Sequence, residues 1–191
     1  MKLILRSTGY VVVLTALLGG VYPAVVTLAA RAFWAEKANG SFVAAGGRIV
    51  GSSLIGQNFT ADGYLHPRPS AAGKGYDGTA SSGTNLGPTS ADLAKSVAAA
   101  VTAARADRPG DERAVPADLA TSSGSGLDPH ISPAAARWQA LRIARARGVA
   151  ESAVLSVINA HVEPRTLGLL GEPRVNVLLT NIDLDRQLLR R

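Results

Sequence analysis

Residues 7–30 read STGYVVVLTALLGGVYPAVVTLAA, without one charged side chain. As a helix rising 1.5 Å per residue, this run would be about 36 Å long, which is enough to cross a hydrocarbon core of about 30 Å. Lys2 and Arg6 precede the run, and Trp34 follows it where an aromatic ring suits the membrane interface. The run therefore predicts one transmembrane helix.

A cleaved signal peptide is the alternative interpretation, because it shares the basic start. Its hydrophobic region would be about 7–15 residues long, which is shorter than this run, and Ala30-Arg31-Ala32 is a poor cleavage site. We expect a retained anchor in residues 1–33, followed by one soluble domain in residues 34–191. The basic residues before the helix favour a cytoplasmic N-terminus and place the domain outside the cytoplasm.

The chain has 191 residues and a formal net charge of +6, and it contains no cysteine. The absence of cysteine excludes disulfides, thiolate metal sites and a cysteine nucleophile. A basic balance fits nucleic acid, anionic lipid or an acidic partner surface. We expect membrane lipid and protein partners, and no nucleic acid, because an extracytoplasmic domain rarely meets it.

The region from Ala38 to Thr89 is rich in Gly, Ser, Asn and Pro, with short apolar stretches that could form strands at Arg48–Gly51 and Ser53–Ile55. Because it also contains aromatic residues, we expect a long loop that is ordered by packing.

Helical spacing of apolar residues predicts three helices, and alternation predicts a late strand. The helices are Thr89–Ala106 with a Thr89/Asp92 capping box, a helix capped by Ser132 that begins at Pro133 and stops at Gly148, and Ala150–His161; the strand is Arg174–Thr180. This mixture predicts an α/β fold, with α+β as the alternative: one compact extracytoplasmic domain with long Gly/Pro/Ser-rich loops.

Motifs for chemistry are weak. Gly73 to Gly78 matches G-x-G-x-x-G, but it follows Pro69 and lies between loops rather than between a strand and a helix. The sequence has neither a phosphate-binding P-loop nor the D-K-T-G of a P-type ATPase, and its three histidines lack metal-ligand spacing. We therefore predict no catalytic residue, no metal site and no cofactor bound by the chain alone.

Two loop features leave alternatives open. Asp128 and His130 flank Pro129 and could serve a hydrolase, or they could form a turn that leads into the next helix. The Gly/Ser loop Ser122–Gly126 could bind an anion through backbone N–H groups, or it could be a flexible turn.

Several loop blocks, in this order along the chain, resemble the C chain of the bacterial Kdp potassium-transporting P-type ATPase. The blocks are Gly20-Val21-Tyr22-Pro23, Ala38-Asn39-Gly40-Ser41, Val50-Gly51-Ser52, Leu54-Ile55-Gly56-Gln57, His66-Pro67-Arg68-Pro69-Ser70, Ser81-Ser82-Gly83-Thr84-Asn85-Leu86-Gly87-Pro88-Thr89, Ser123-Gly124-Ser125-Gly126-Leu127-Asp128-Pro129-His130-Ile131-Ser132-Pro133 and Gly171-Glu172-Pro173-Arg174-Val175-Asn176-Val177-Leu178. Thr84 stands where that family more often has Ser, and the segment after Thr180 is more polar than expected.

The resemblance implies a single-pass, non-catalytic subunit of the bacterial inner membrane. Its complex imports potassium with ATP hydrolysis: a channel-like A chain selects the ion, a P-type B chain hydrolyses ATP, and a small F chain accompanies them. The C chain is needed for assembly and activity and is described as a catalytic chaperone that raises the ATP affinity of the B chain, so that ATP is met through that chain.

The resemblance also implies candidate contact residues. Nucleotide or partner contact is expected at Ser123, Gly124, Ser125, Gly126, Asp128 and His130; partner contact at Asn85, Leu86, Gly87 and Pro88; and contact within the membrane at Gly20, Tyr22 and Pro23. A domain outside the cytoplasm cannot touch cytoplasmic ATP. The alternative is therefore a cap or brace on the outer mouth of the A chain, without nucleotide contact.

Overall fold

The computed structural model describes residues 1–188, in two compact units: Met1–Phe42, and a second that begins at Val43. The fold is mixed helix and sheet with a long apolar helix at the N-terminus, as predicted. The predicted domain ranges 1–33 and 34–191 stay predictions, and residues 189–191 lie outside the described part.

The first unit is one long helix and a short one. The long helix consists of α1 (Lys2–Ala16), a π-helical turn (Leu17–Val21) and α2 (Tyr22–Phe33), and α3 (Ala35–Ala38) follows it. Within residues 1–188, one helix is long and apolar enough to cross a membrane, namely Lys2–Phe33 with a mean hydropathy of 2.2. This agrees with the predicted transmembrane helix and leaves its orientation a prediction.

A hairpin of β1 (Phe42–Ala45) and β2 (Arg48–Ser52) comes next, and all of it except Phe42 belongs to the second unit. Gly46 and Gly47 form its turn with φ of 57° and 77°, the left-handed values that a tight hairpin turn requires at both central positions. The strand at Arg48–Gly51 is confirmed. The strand at Ser53–Ile55 is wrong, because Ser52 closes a turn there by accepting hydrogen bonds from the Leu54 and Ile55 amides.

A three-stranded antiparallel sheet of very short strands forms one side of the core. Its order is β3 (His130–Ile131), β5 (Arg174–Asn176) and β4 (Val162–Glu163), with Ile131 and Val162 both opposite Val175. The predicted strand Arg174–Thr180 therefore ends at Asn176. Asn176 begins the next helix instead, because its side-chain oxygen accepts from the Leu179 amide and its carbonyl accepts from the Thr180 hydroxyl.

Four helices pack on this sheet: α5 (Pro133–Trp138), α6 (Ala140–Arg147), α7 (Glu151–Ala160) and α8 (Val177–Leu188). The Ser132 cap and the Gly148 stop are confirmed, since the Ser132 hydroxyl accepts from the Ala135 amide and Gly148 has a φ of 65°. The core includes Val154, Val157 and Ile158 of α7, together with Leu65, Ile131, Ile143, Val175, Val177 and Leu184.

One further helix, α4 (Ala91–Ala106), lies mostly exposed, with only Ala104 buried among its residues. The predicted capping box at Thr89 and Asp92 is wrong by one position, because Ser90 is the cap and its hydroxyl accepts from the Leu93 amide. The indole N–H of Trp138 donates to the Ala104 carbonyl at 2.8 Å and ties the end of α4 to α5.

Two buried amide side chains order the loop between β2 and α4. Asn181 of α8 bonds both the N–H and the carbonyl of Leu65, at 2.7 and 3.0 Å. Gln139, at the break between α5 and α6, does the same for His66, at 2.8 and 3.0 Å. The long loop is therefore ordered, as expected, and one of its residues, Leu65, belongs to the core.

Arginines of α6 hold the same loop from its other side. Arg142 donates to the Asp62 and Tyr64 carbonyls, and Arg147 donates to the Gly63 carbonyl and lies over the Tyr64 ring at 5.0 Å. These arginines therefore help to order the loop.

Candidate partner-binding site

The Gly/Ser loop is a hydrogen-bonded turn with a buried and an exposed side. Ser123 is 7% exposed, and its hydroxyl accepts from the Gly126 amide at 2.9 Å. The Ser125 hydroxyl accepts from the Leu127 amide at 3.1 Å. Two amides that an anion-binding nest could offer are thus bonded within the turn, and Gly124 and Ser125 face outwards.

Gly126 and Gly124 differ in their surroundings. Gly126 has a φ of 68°, and a Cβ there would lie 2.6 Å from the Ser82 carbonyl oxygen and 2.7 Å from the Ala72 amide. Only glycine fits such a position without a shift of the backbone. A Cβ added to Gly124 meets no atom within 4 Å. Gly126 is therefore a packing residue, and Gly124 is open to a partner.

An exposed segment, residues 77–89, here named the strap, runs past this loop. The Ser125 carbonyl accepts from the Ser82 amide at 3.0 Å and from the Ser81 hydroxyl at 2.9 Å. Gly83 passes so close that a Cβ on it would lie 2.8 Å from the Gly124 carbonyl oxygen. The structure thus places the two predicted contact loops in one continuous surface.

The predicted contact residues Asn85, Leu86, Gly87 and Pro88 lie in the strap and are all exposed. Asn85 holds a left-handed φ of 53°, and Leu86 presents 40% of its surface to solvent. These residues are therefore accessible to a partner.

Ser70 and Arg68 connect the loops behind this surface. The Ser70 hydroxyl donates to the Gly126 carbonyl at 2.6 Å and accepts from the Tyr76 amide at 2.9 Å. Arg68 donates to the Thr121 and Ser122 carbonyls. Sequence reasoning gave neither residue a role. The available signal was the block His66-Pro67-Arg68-Pro69-Ser70, which was matched to the family without a role for its residues.

The G-x-G-x-x-G match at Gly73 to Gly78 forms part of the same scaffold. The Ala72 carbonyl accepts from the Gly75 and Asp77 amides, and Tyr76, with a φ of 57°, donates its hydroxyl to the Arg68 carbonyl. The motif is a turn around Ser70 rather than a strand-to-helix junction, as its context predicts.

Asp128 and His130 stabilise the turn into α5. Asp128 accepts from the His130 amide at 2.9 Å and pairs with Arg68 at 3.4 Å. The ring nitrogens of His130 lie 3.7 Å from Asp128 and 3.4 Å from the Asn176 amide nitrogen. A hydrolase would need a nucleophilic hydroxyl where this amide lies, so the geometry fits the turn and not a catalytic dyad.

The charge of Asp128 is stabilised in this setting. Burial is the largest influence and raises its pKa, but the hydrogen bonds from His130 and the nearby positive charge of Arg68 outweigh it. The net result is a pKa of Asp128 below its usual value. Asp128 is therefore an ionised anchor between two loops.

The membrane-helix candidates lie at an interruption of the helix. The Tyr22 amide donates to the Leu17 carbonyl, five residues back, which is the π-helical pattern. Pro23 explains it, because a proline ring clashes with the carbonyl four residues earlier and the helix widens there. Gly20 and Tyr22 are exposed.

Comparisons with known proteins agree on one family. Residues 4–186 match the family model described as "KdpC: K+-transporting ATPase, c chain". The chain is 59% identical over 184 residues to the potassium-transporting ATPase KdpC subunit of Myxococcus xanthus, covering 96% of this chain and 86% of that protein. It is 53% identical to the same subunit of Rhodospirillum rubrum, with 91% and 90% covered, and 48% identical to that of Koribacter versatilis, with 96% and 94% covered.

Proposed function

Because the chain belongs to the KdpC family of potassium-transporting ATPase subunits, we propose that it is a non-catalytic accessory subunit needed for the assembly and activity of that ATPase. The observation that carries this proposal is the exposed surface that the strap and the Gly/Ser loop form together, joined at the Ser125 carbonyl. Next to this surface, Asp128 and His130 are engaged in structural hydrogen bonds.

The proposal places the chain as a single-pass subunit of the bacterial inner membrane, with its N-terminus inside and its domain outside. Its partners are the channel-like A chain, the ATP-hydrolysing B chain and the small F chain. The apolar helix Lys2–Phe33 supports the single pass. The interrupted turn at Gly20 to Pro23 offers a site for helix contact, since small residues let helices approach closely.

The effect of this chain on the ATP affinity of the B chain is then indirect. An outer domain can raise the ATP affinity of the B chain only through the membrane helix and the A chain. The Gly126 and Leu127 amides are bonded within their own turn, which supports a cap or brace on the A chain over direct contact with nucleotide. We therefore place the strap and the Gly/Ser loop against the A chain.

The first experiment compares the complex purified with and without this chain. Potassium-stimulated ATPase activity should fall at least tenfold when the chain is absent, and the isolated chain should show no turnover. The apparent KM for ATP, measured on the residual activity, should rise. Full activity without the chain would refute the accessory role, and turnover by the chain alone would refute its non-catalytic character.

A second experiment settles the side of the membrane. Thr84→Cys in the strap and Thr102→Cys on α4 introduce unique, exposed thiols into a chain that has no cysteine. A membrane-impermeant thiol reagent should label Thr102→Cys in intact cells. Labelling of both sites only after lysis, in the chain expressed alone, would reverse the orientation. Protection of Thr84→Cys by the complex would support partner contact at the strap.

A further inference from the structure

A second exposed feature lies far along the chain from the strap, between β4 and β5. Residues 165–172, here named the leucine tip, read RTLGLLGE. Leu167, Leu169 and Leu170 are 86%, 80% and 61% exposed. Single exposed leucines are ordinary, but three within four residues form a clustered apolar patch of the kind that marks an interaction site.

The leucine tip is held in one conformation. Thr166 and Leu170 exchange two backbone hydrogen bonds of 2.9 Å, and the Gly168 amide donates to the Arg165 carbonyl at 3.0 Å. Arg165 also bonds both carboxylate oxygens of Glu172, at 2.8 and 2.7 Å, across the base of the tip. The tip is therefore preorganised, and binding through it costs little conformational entropy.

Leu167 supports the same conclusion from its backbone. It has a φ of 55°, a left-handed conformation that a side chain with a Cβ adopts at a cost. The hydrogen bonds of the tip maintain this conformation and turn the leucine outwards, although nothing in the described chain covers it. The arrangement presents apolar side chains where a loop without a partner would have polar ones.

The charges around the tip identify the class of partner. Arg165 pairs with Glu172, and Arg174 pairs with Glu163 at 2.8 Å, so the hairpin has no net charge. A segment that enters a bilayer interface usually combines apolar residues with free basic and aromatic ones, and residues 162–174 contain no aromatic residue. A neutral apolar tip complements an uncharged apolar groove on a protein.

We propose that the leucine tip inserts into an apolar groove on another subunit of the potassium-transporting ATPase complex, and that it is a second docking point besides the strap. This inference rests on the accessory role proposed above. Leu167 and Leu169 are the anchors, because they are the most exposed. In many interfaces a few residues that become fully buried in pockets of the partner provide most of the binding energy.

Substitution tests the anchors in the assembled complex. The double variant Leu167→Gln/Leu169→Gln should fold normally, because both side chains are exposed, and its retention in the complex after extensive washing should fall at least tenfold. A matched control is Leu54→Gln/Ile55→Gln, which changes two other exposed apolar residues, 59% and 46% exposed. The control should be retained like the unchanged chain.

Each outcome of this comparison decides one claim. Retention of the tip variant at the unchanged level overturns the inference, and so does an equal loss in the control. A complex that assembles and works without the chain refutes the accessory role itself. If removal of the chain abolishes activity while the tip variant is normal, only the inference about the tip fails.

Photo-crosslinking identifies what covers the tip. A benzophenone amino acid in place of Leu169 should form an adduct with another subunit of the complex on irradiation, and the same probe in place of Thr102, exposed on α4, should not. An adduct with lipid or with a second copy of this chain overturns the choice of partner. Absence of any adduct at position 169 overturns docking.

Discussion

Two loop regions of similar composition differ in their relation to the core. The segment 58–70 and the strap 77–89 are both rich in Gly, Ser, Asn or Pro. The first contributes Leu65, which is 0% exposed, to the core. In the strap, every residue except Gly83 is exposed. Composition alone does not distinguish a loop that builds the domain from a loop that meets a partner.

The difference lies in what the distant helices provide. Asn181 and Gln139 are buried, and each satisfies both backbone groups of one residue in segment 58–70. The strap is attached instead through bonds in its first half: the Ser81 hydroxyl and the Ser82 amide donate to the exposed Ser125 carbonyl, and the Asp77 amide donates to the Ala72 carbonyl. Segment 58–70 therefore contributes to the stability of the domain, whereas the strap contributes little.

The largest effect should come from Asn181→Leu. This change leaves the buried N–H and carbonyl of Leu65 without partners, and each unsatisfied buried group costs about 1–3 kcal/mol. The free energy of unfolding should fall by about 3–5 kcal/mol, as measured by chemical denaturation of the full chain in detergent. Asn159→Leu is the matched control, because it removes one solvent-exposed hydrogen bond, from Arg137, and leaves no buried group unpaired; it should cost about 1 kcal/mol or less. Equal stability of the two variants would remove the distinction between the regions.

The sequence predicts most of the helices, but not the contacts between distant loops. One helix was predicted between the Ser132 cap and the Gly148 stop, and the structure breaks it at Gln139 into α5 and α6. Helix α7 follows from the apolar spacing of Val154 to Ile158. Helix α8 was missed because Val175, Val177 and Leu179 alternate like a strand, and only Asn176, acting as a cap, starts the helix. The contact loops of the candidate site were predicted only from the resemblance to the family. The contact between Ser125 and the strap could not be predicted, because it joins residues more than 40 positions apart without a local pattern.

The next effect in size should separate Gly126 from Gly124. Gly126→Ala places a Cβ against the Ser82 carbonyl at a left-handed φ, so we expect a loss of about 2 kcal/mol in unfolding free energy. Gly124→Ala meets open space and should change stability by less than about 0.5 kcal/mol. Thermal unfolding of the two variants measures the contrast. Strong destabilisation by Gly124→Ala would mean that the exposed side of the loop also belongs to the core.

A smaller, pH-dependent effect is expected at Asp128. Because its folded-state pKa is lowered, its ionised form stabilises the fold above the ordinary aspartate pKa of about 4, and this contribution is lost as the pH falls through the lower folded pKa. Asp128→Asn should cost about 1 kcal/mol at pH 7, and the difference from the unchanged chain should shrink below about pH 4. Denaturation at pH 7, 5 and 3 tests this. If the difference in unfolding free energy stays constant with pH, the charge of Asp128 is not what holds Arg68 and His130 together.

The smallest effect on stability should come from Leu86→Ala in the strap, and here the effect on assembly should be larger. Leu86 is 40% exposed and lies outside the hydrophobic core, so its truncation should change the unfolding free energy by less than about 0.5 kcal/mol. If the strap docks on the A chain, retention of the variant in the washed complex should fall several-fold, whereas Leu54→Ala at another exposed leucine should be neutral in both measurements. Lost stability with normal assembly would place the strap with segment 58–70, as part of the domain. Lost assembly with normal stability would show that a loop of the same composition serves the partner.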